Sequence, residues 1–346
     1  MRTSRSLSLL ALGAASALVL GGCAAGDSAS TDSGSGDADL TLYSGRDEAL
    51  VQPLIDQFTE ETGIEVEVRY GNTAELGALL LEEGEATPAD VFLSQDAGAL
   101  GALANADLFT TLPDDIAGAV DAGFTSTDGS WVGITGRARV VVFDGEKYTA
   151  EELPDDIDDY TEEEWRGLVG VAPTNASFQS FVTAYRVLES EGDAEEFLTE
   201  LAANDPQIFE GNNPILTAVD EGALDVGLIN HYYWFRQAAE VGADNMRAQL
   251  KFLEAGDPGS IVNVTGAGLM SGSAENADAL AFIEYLVSEA GQSYFVEETF
   301  EYPLVAGIDA PEGLPSLESL VNPELDLSDL DTLSDTQDLL ARVGLI

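Results

Sequence analysis

Thiol and imidazole are almost missing from this chain: Cys23 is its single cysteine and His231 its single histidine. A lone thiol excludes disulfides, thiolate metal clusters and a cysteine–histidine nucleophile deeper in the chain. One histidine cannot furnish the His-Glu-x-x-His pair of a zinc hydrolase. No Gly-x-Ser-x-Gly elbow is present either. The Gly266-Ala-Gly268 run lacks the third glycine of a dinucleotide fingerprint. The chain reads as a binder and not as an enzyme. Cations are scarce too, with 13 Lys and Arg against 64 Asp and Glu and a formal net charge of −51. Such a surface repels nucleic acid and anionic membrane faces. Acidic runs such as Asp155-Asp-Ile-Asp-Asp159 read as solvated faces, and no window has the spacing of an EF-hand loop. An anionic ligand needs a local cationic pocket here, whereas a cation is drawn in.

The one long apolar run is at the N-terminus. Arg2 and Arg5 precede Leu7 to Leu20, and Leu20-Gly21-Gly22-Cys23 follows. The run is too short to cross a bilayer and remain. A basic start, an apolar core and small residues before a cleavage point make a secretory signal. The last four residues resemble the bacterial lipoprotein cleavage box. Residues 1–22 are expected to be removed, leaving Cys23 as a lipidated first residue. The protein would then sit on the extracytoplasmic face of the cell membrane, held by its lipid. Residues 23–38 are rich in Gly, Ser, Ala and Asp and read as a flexible tether. The remainder, 39–346, is long for a single core, so two domains are expected.

Apolar periodicity alternates between strand and helix. Asp39 to Tyr43, Ile64 to Arg69 and Asp90 to Leu93 read as strands. Asp47 to Thr62, Asn72 to Gly84 and Ala97 to Ala106 read as helices, with Gly63 placed to end the first. Further strands are expected at Val140–Phe143, Leu168–Val171, Gln207–Phe209, Val226–Ile229 and Lys251–Leu253. Ile261 to Met270 reads as extended. A helix is expected from Asn276 to Ala290, stopped by Gly291. Another, from Asp335 to Val343, has Ser334 and Gln337 in capping-box spacing. The order predicts an α/β fold with two lobes, each a mostly parallel sheet flanked by helices.

One dipeptide carries chemistry. The apolar stretch Val226 to Ile229 ends at Asn230, and Tyr232-Tyr233 follow His231 where a helix is expected to begin. Ligands of open α/β sheets bind at the carboxyl edge of strands. Two phenolates there are hard anionic donors suited to a small, highly charged cation, with ferric iron the obvious candidate. The plainer alternative is one packed and one exposed tyrosine.

From Asp39 to Ile346 the chain resembles the ferric-ion-binding proteins of bacterial iron ABC importers. The matching segments are Leu42-Tyr-Ser-Gly-Arg46, Thr62-Gly-Ile-Glu-Val66, Thr87-Pro-Ala-Asp-Val-Phe92, Gly136-Arg-Ala-Arg-Val-Val-Val-Phe-Asp144, Leu228-Ile-Asn-His-Tyr-Tyr-Trp234, Asp257-Pro-Gly259 and Glu301-Tyr-Pro-Leu304. The resemblance implies the two-lobed fold of the periplasmic binding proteins, with a ligand cleft between lobe 1 (39–136 and 263–312) and lobe 2 (137–262 and 313–346). It implies Tyr232 and Tyr233 as ferric ligands. The place of the family's histidine ligand is taken by Asp47, and that of its glutamate by Gln95, with Asp96 adjacent. Asp47 and Asp96 are the inferred substitutes, each with a structural alternative at a helix start. Some relatives carry a third tyrosine where this chain has Phe178. Family precedent puts a synergistic anion, carbonate or phosphate, near Asn175, Ala176, Ser177, Asn212 and Asn230, with Arg46 able to pair with it. Arg137 and Arg139 are expected as structural ion-pair partners. A membrane permease and its ATPase are the implied partners of a monomeric binding protein. The alternative is the same fold serving another solute, such as a phosphorylated sugar, a phosphonate, thiamine or a ferric chelate.

Cys23→Ser tests the anchor. It should release the protein from the membrane fraction or leave the precursor uncut, because stable attachment takes more than one acyl chain and processing at Cys23 supplies them. A variant still processed and membrane-bound would contradict the assignment.

Overall fold

The computed structural model describes residues 38–321 and 325–346, so the expected signal segment, Cys23 and nearly all of the expected tether lie outside the described residues. The first part of the chain runs β1 (Leu40–Ser44), α1 (Glu48–Thr62), β2 (Val66–Tyr70), α2 (Thr73–Glu83), β3 (Val91–Ser94) and α3 (Ala97–Asn105), then the short α4 (Asp114–Ala117). The long β4 (Val132–Asp144) follows. Next come β5 (Val169–Val171), α5 (Ala176–Leu188), α6 (Glu191–Ala203), β6 (Gln207–Ile208), α7 (Asn212–Asp220), β7 (Val226–Asn230), α8 (His231–Val241) and β8 (Ala248–Lys251). The chain closes with β9 (Val262–Leu269), α9 (Ala277–Leu286), α10 (Glu289–Tyr294), β10 (Tyr302–Pro303) and α11 (Leu333–Val343).

The strands order as β2-β1-β3-β9-β4-β7-β5-β6, with β8 and β10 also pairing β4. β1 lies parallel to β2 and β3, and β5 lies parallel to β6 and β7. β4 and β9 run antiparallel and stitch the two parallel sets together. From Val132 to Ala138, β4 pairs with β9, and from Arg139 onward it pairs with β7 and β8. This is the mixed α/β architecture of the periplasmic-binding type, with helices packed on the sheet.

β4 begins well before the strand expected at Val140–Phe143. Thr135, Arg137 and Arg139 dilute the apolar signal, yet all three are buried. Successive side chains of a strand alternate faces, so these three share one face. The helix expected to run from Asn276 through Ala290 is two helices. Asn276 caps α9, and Ser288 caps α10 by accepting from the Gly291 N–H at 3.2 Å. Gly291 is no stop. A Cβ there would lie 2.3 Å from the Tyr285 carbonyl oxygen, so glycine lets the second helix fold back on the end of the first. The capping box at Ser334 does not form, because α11 starts at Leu333. Thr332 precedes it, and both its carbonyl and its hydroxyl accept from Arg186 Nη1 at 3.1 Å. β8 starts three residues before the expected Lys251–Leu253 and shares Lys251 with it. Arg247 pins its entry by a two-point pairing with buried Asp144, at 2.6 Å for each contact.

Local signals explain the elements around the cleft. Leu50, Val51, Leu54, Ile55 and Phe58 form the buried stripe of α1. Gly63 ends that helix in the left-handed region at φ 78°. Phe58 packs edge-on against Phe282 of α9, with ring centroids 5.1 Å apart. Between β1 and α1 the chain turns at Ser44-Gly45-Arg46 against the start of α2. A Cβ on Gly45 would meet Thr73 Oγ1 at 1.9 Å and the Thr73 Cα at 2.9 Å. Gly45→Ala should therefore cost about 1–3 kcal/mol through overpacking. The check is the urea midpoint of the metal-free protein, and an unchanged midpoint would mean the turn is not tightly held.

Candidate functional site

β7 ends at Asn230 and α8 begins at His231, so Tyr232 and Tyr233 occupy the first turn of that helix. Their rings stack, with centroids 4.3 Å apart and planes inclined by 27°. Tyr232 is buried and Tyr233 half-buried. Burial first, and then the neighbouring phenol, push the Tyr232 pKa well above its ordinary value. The guanidinium groups of Arg46 and Arg137 oppose that rise.

His231 is not available as a ligand. Its Nδ1 accepts from the Ala138 N–H at 3.1 Å, and its Nε2 donates to the Phe300 carbonyl at 2.9 Å. These partners assign the neutral Nε2–H tautomer, and burial pushes the ring's pKa down to about 4. The imidazole is a strut between β4, α8 and the segment before β10.

Three guanidinium groups are buried around the phenol pair. Arg46 donates to Glu301 Oε1 and Thr265 Oγ1. Burial lowers its pKa, but the Glu301 carboxylate and the two phenols outweigh burial, and the net shift is upward. Arg137 donates to the carbonyls of Gln95 and Val264, the latter at 3.3 Å. Arg139 donates to the Leu228 carbonyl at 3.0 Å and to Ser177 Oγ at 3.2 Å. It also lies 5.5 Å from the ring centroids of Phe178 and of Phe181. Such faces stabilise a desolvated cation, so Phe178 contributes a π-face and no phenolate. Arg137 and Arg139 were expected as ion-pair partners; among the described residues neither has a carboxylate within 4.0 Å. Burial pushes both downward, Arg139 to about 9.

The amide and hydroxyl residues form one network. Asn175 caps α5, accepting from the Ser177 N–H at 3.0 Å and from Ser177 Oγ at 2.6 Å. Asn212, at the start of α7, donates to Asn175 Oδ1 at 3.2 Å and to Ser177 Oγ at 3.1 Å. Ala176 opens α5 between them. Asn230 lines a small cavity with Arg137, Arg139, Ser177, Ser180 and Asn263. Several polar atoms here are buried without a partner among the described residues: Arg46 Nε, Arg137 Nε and Nη1, Arg139 Nε, Asn263 Nδ2 and Asn212 Oδ1. Buried polar groups are nearly always satisfied, so a cluster of orphan donors marks a place for an acceptor.

The two aspartates differ. Asp96 is buried and caps α3, accepting from the Ala99 N–H at 3.1 Å. Burial raises its pKa, while that backbone bond and Arg137 pull it down. Asp47 is exposed at the start of α1 and makes no side-chain cap bond. Among the described residues no group of three or more His, Cys, Asp or Glu is placed to hold a metal. Sequence reasoning missed Glu301, Thr135, Thr265 and Asn263. The signal for Glu301 was available: a lone carboxylate inside the apolar Phe300-Glu-Tyr-Pro-Leu304 segment.

The profile of the bacterial extracellular solute-binding protein family matches residues 86–323. The chain is 32% identical over 313 residues to the Fe(3+)-binding periplasmic protein of Serratia marcescens, covering 90% of this chain and 92% of that one. It is 31% identical over 310 residues to the major ferric iron-binding protein of Neisseria meningitidis, covering 89% and 93%. The crystal structure of iron-bound HitA from Pseudomonas aeruginosa superposes with a TM-score of 0.83 at 32% identity, over 88% of this chain and 99% of that chain. A stacked phenol pair at a strand-to-helix junction and near full-length similarity lead to one assignment: this chain belongs to the bacterial extracellular solute-binding proteins, in the branch that includes the ferric iron-binding proteins of Serratia and Neisseria.

Proposed function

We propose that the protein captures ferric iron outside the cytoplasm through Tyr232 and Tyr233 and delivers it to an ABC permease and its ATPase. The stacked phenols at the start of α8 carry the reading. The names of the relatives, ferric iron-binding in both cases, support it. Attachment through a lipid on Cys23 belongs to the same reading. Among the described residues no helix is long and apolar enough to cross a membrane.

Charge decides what accompanies the metal. Two phenolates leave one positive charge on Fe³⁺ uncompensated. The charge of Arg46 is balanced by Glu301, while Arg137 and Arg139 add positive charge without a carboxylate. A small anion with several acceptor oxygens, carbonate or phosphate, meets both needs. Arg46, Asn175, Ala176, Ser177, Asn212 and Asn230 are its proposed contacts, and the orphan donors of Arg137, Arg139 and Asn263 extend that set. The exposed Asp47 is the freer of the two candidate carboxylates, since Asp96 already caps α3. Closure of the two lobes would hold the metal, and their opening would release it.

A second reading has an observation in its favour. Three buried guanidinium groups would also suit a phosphorylated solute, for which no phenolate is needed. Colour separates the two. Iron-free protein titrated with ferric citrate should take up one ferric ion and turn red through tyrosinate-to-iron charge transfer. No band and no tight uptake would sink the iron reading.

Tyr232→Phe or Tyr233→Phe deletes an anionic ligand with little change in volume. Either should lower iron affinity by orders of magnitude and fade or shift the colour, with the metal-free fold retained. Variants that bind iron like the parent would leave only a solute-binding fold. Asp47→Asn and Asp96→Asn separate ligand from cap. Loss of affinity with the colour kept marks a ligand. Asp96→Ala as a lost cap should instead cost about 0.5–2 kcal/mol of stability with iron affinity little changed. Denaturant midpoints and iron competition against citrate measure the two effects.

A further inference from the structure

We propose that Glu301 is a positioning residue for the ligand cleft: it holds the Arg46 guanidinium toward the phenol pair, and its own place is set from the tyrosine-bearing helix. This inference rests on the iron-and-anion reading above.

Glu301 is fully buried, and both its carboxylate oxygens are used. Oε1 accepts from Arg46 Nη2 and Oε2 accepts from Thr135 Oγ1. Arg46 is held at its other terminal nitrogen by Thr265 Oγ1. The guanidinium is thus pinned at both ends, between β4, β9 and the segment leading into β10. Of its three nitrogens, Nε has no partner among the described residues.

The backbone that presents Glu301 is unusual. Phe295–Thr299 is a single π-helical turn, and Phe300 follows in the left-handed region at φ 57°. A bulky aromatic residue pays strain in that conformation, and it persists only where surrounding contacts over-determine it. The Phe300 N–H bonds to the Phe295 carbonyl, and two further contacts come from α8. The Phe300 carbonyl accepts from His231 Nε2 at 2.9 Å, and the Phe300 ring stacks on Phe235 at 6.4 Å with planes 27° apart. On the other side of Glu301, the Tyr302 ring lies 5.0 Å from the imidazole of His231. Both neighbours of Glu301 are therefore held by His231, the residue directly before Tyr232.

The consequence is a short mechanical link between the two halves of the site. α8 carries the phenols. Through His231 it fixes Phe300 and Tyr302, which aim Glu301 at Arg46. A purely structural ion pair would need only its two partners, but Glu301 and Arg46 are held by residues of three further elements, one of them the helix that bears the phenols. With Arg137 and Arg139 lacking carboxylates, Glu301 controls how much positive charge and how many free N–H groups Arg46 offers to a metal-bound anion.

The experiment uses the full mature chain as parent, Arg46→Gln, Glu301→Gln, the double variant and Thr135→Val. Iron is supplied as ferric citrate with carbonate or phosphate added, and the tyrosinate–iron band and iron retention against excess citrate are read. Arg46→Gln and Glu301→Gln should each weaken retention by about tenfold or more. Each should also shrink the difference between carbonate and phosphate. If Glu301 acts through Arg46, the double variant is no weaker than Arg46→Gln alone, whereas independent roles give summed losses. Thr135→Val removes one bond to Glu301 and keeps every charge, so it should move both readouts the same way by less. Thermal unfolding of the iron-free forms is followed in parallel. Should Glu301→Gln fail to fold because Arg46 is left unpaired, Thr135→Val decides. A parental response to both anions in Glu301→Gln or, in that event, in Thr135→Val overturns the proposal, as do summed losses in the double variant. A parent with no band removes the iron reading and this inference with it.

Discussion

A guanidinium taken out of water needs acceptors for up to five N–H groups and compensation for its charge. This chain, poor in cations, nevertheless buries Arg46, Arg137 and Arg139 together. The middle of the structure is organised around meeting that demand. Arg46 has a carboxylate, Arg139 has a carbonyl, a hydroxyl and two aromatic faces, and Arg137 has carbonyls alone. The acceptors come from the turn after β3, from β7, β9 and the N-terminus of α5. Moving any of these elements would take an acceptor from a buried charge.

The same arrangement reconciles two opposite fields. The outer surface is strongly acidic and attracts cations, while the floor beside the phenols is positive. A bare cation suits the first and not the second. In the proposed function a ferric ion carrying a small anion suits both, since the phenolates take the metal and the unpartnered N–H groups take the anion. His231 illustrates how tightly the floor is built. The chain's one imidazole bonds backbone groups through both of its nitrogens.

Much of the fold was legible because its signals are local. The apolar stripe of α1, the left-handed Gly63 and the side-chain caps of Asn72 and Asp96 all act within a few residues. The reading failed where a distant partner overrode such a signal. The start of β4 hides behind Thr135 and the two arginines, whose burial depends on Glu301, Gln95 and Leu228. The capping box at Ser334 does not form: the helix already starts at Leu333, and the Gln337 side chain donates to distant Gln179 Oε1 at 3.2 Å. The break after α9 turns on a close backbone approach at Gly291 that periodicity cannot register.

The sequence by itself determined the α/β alternation, the acidic surface and the adjacency of two phenols at a strand-to-helix junction. Each of these is a property of composition or of neighbours along the chain. Only the tertiary structure decided which polar groups surround those phenols. It left two expected ion-pair partners with carbonyl and hydroxyl acceptors and, among the described residues, no carboxylate, made Asp96 a cap and gave Glu301 to Arg46. The physical reason is that hydrogen bonds and charge pairs in a buried site are made between residues far apart in sequence. Their energies depend on burial and distance, which no local pattern encodes.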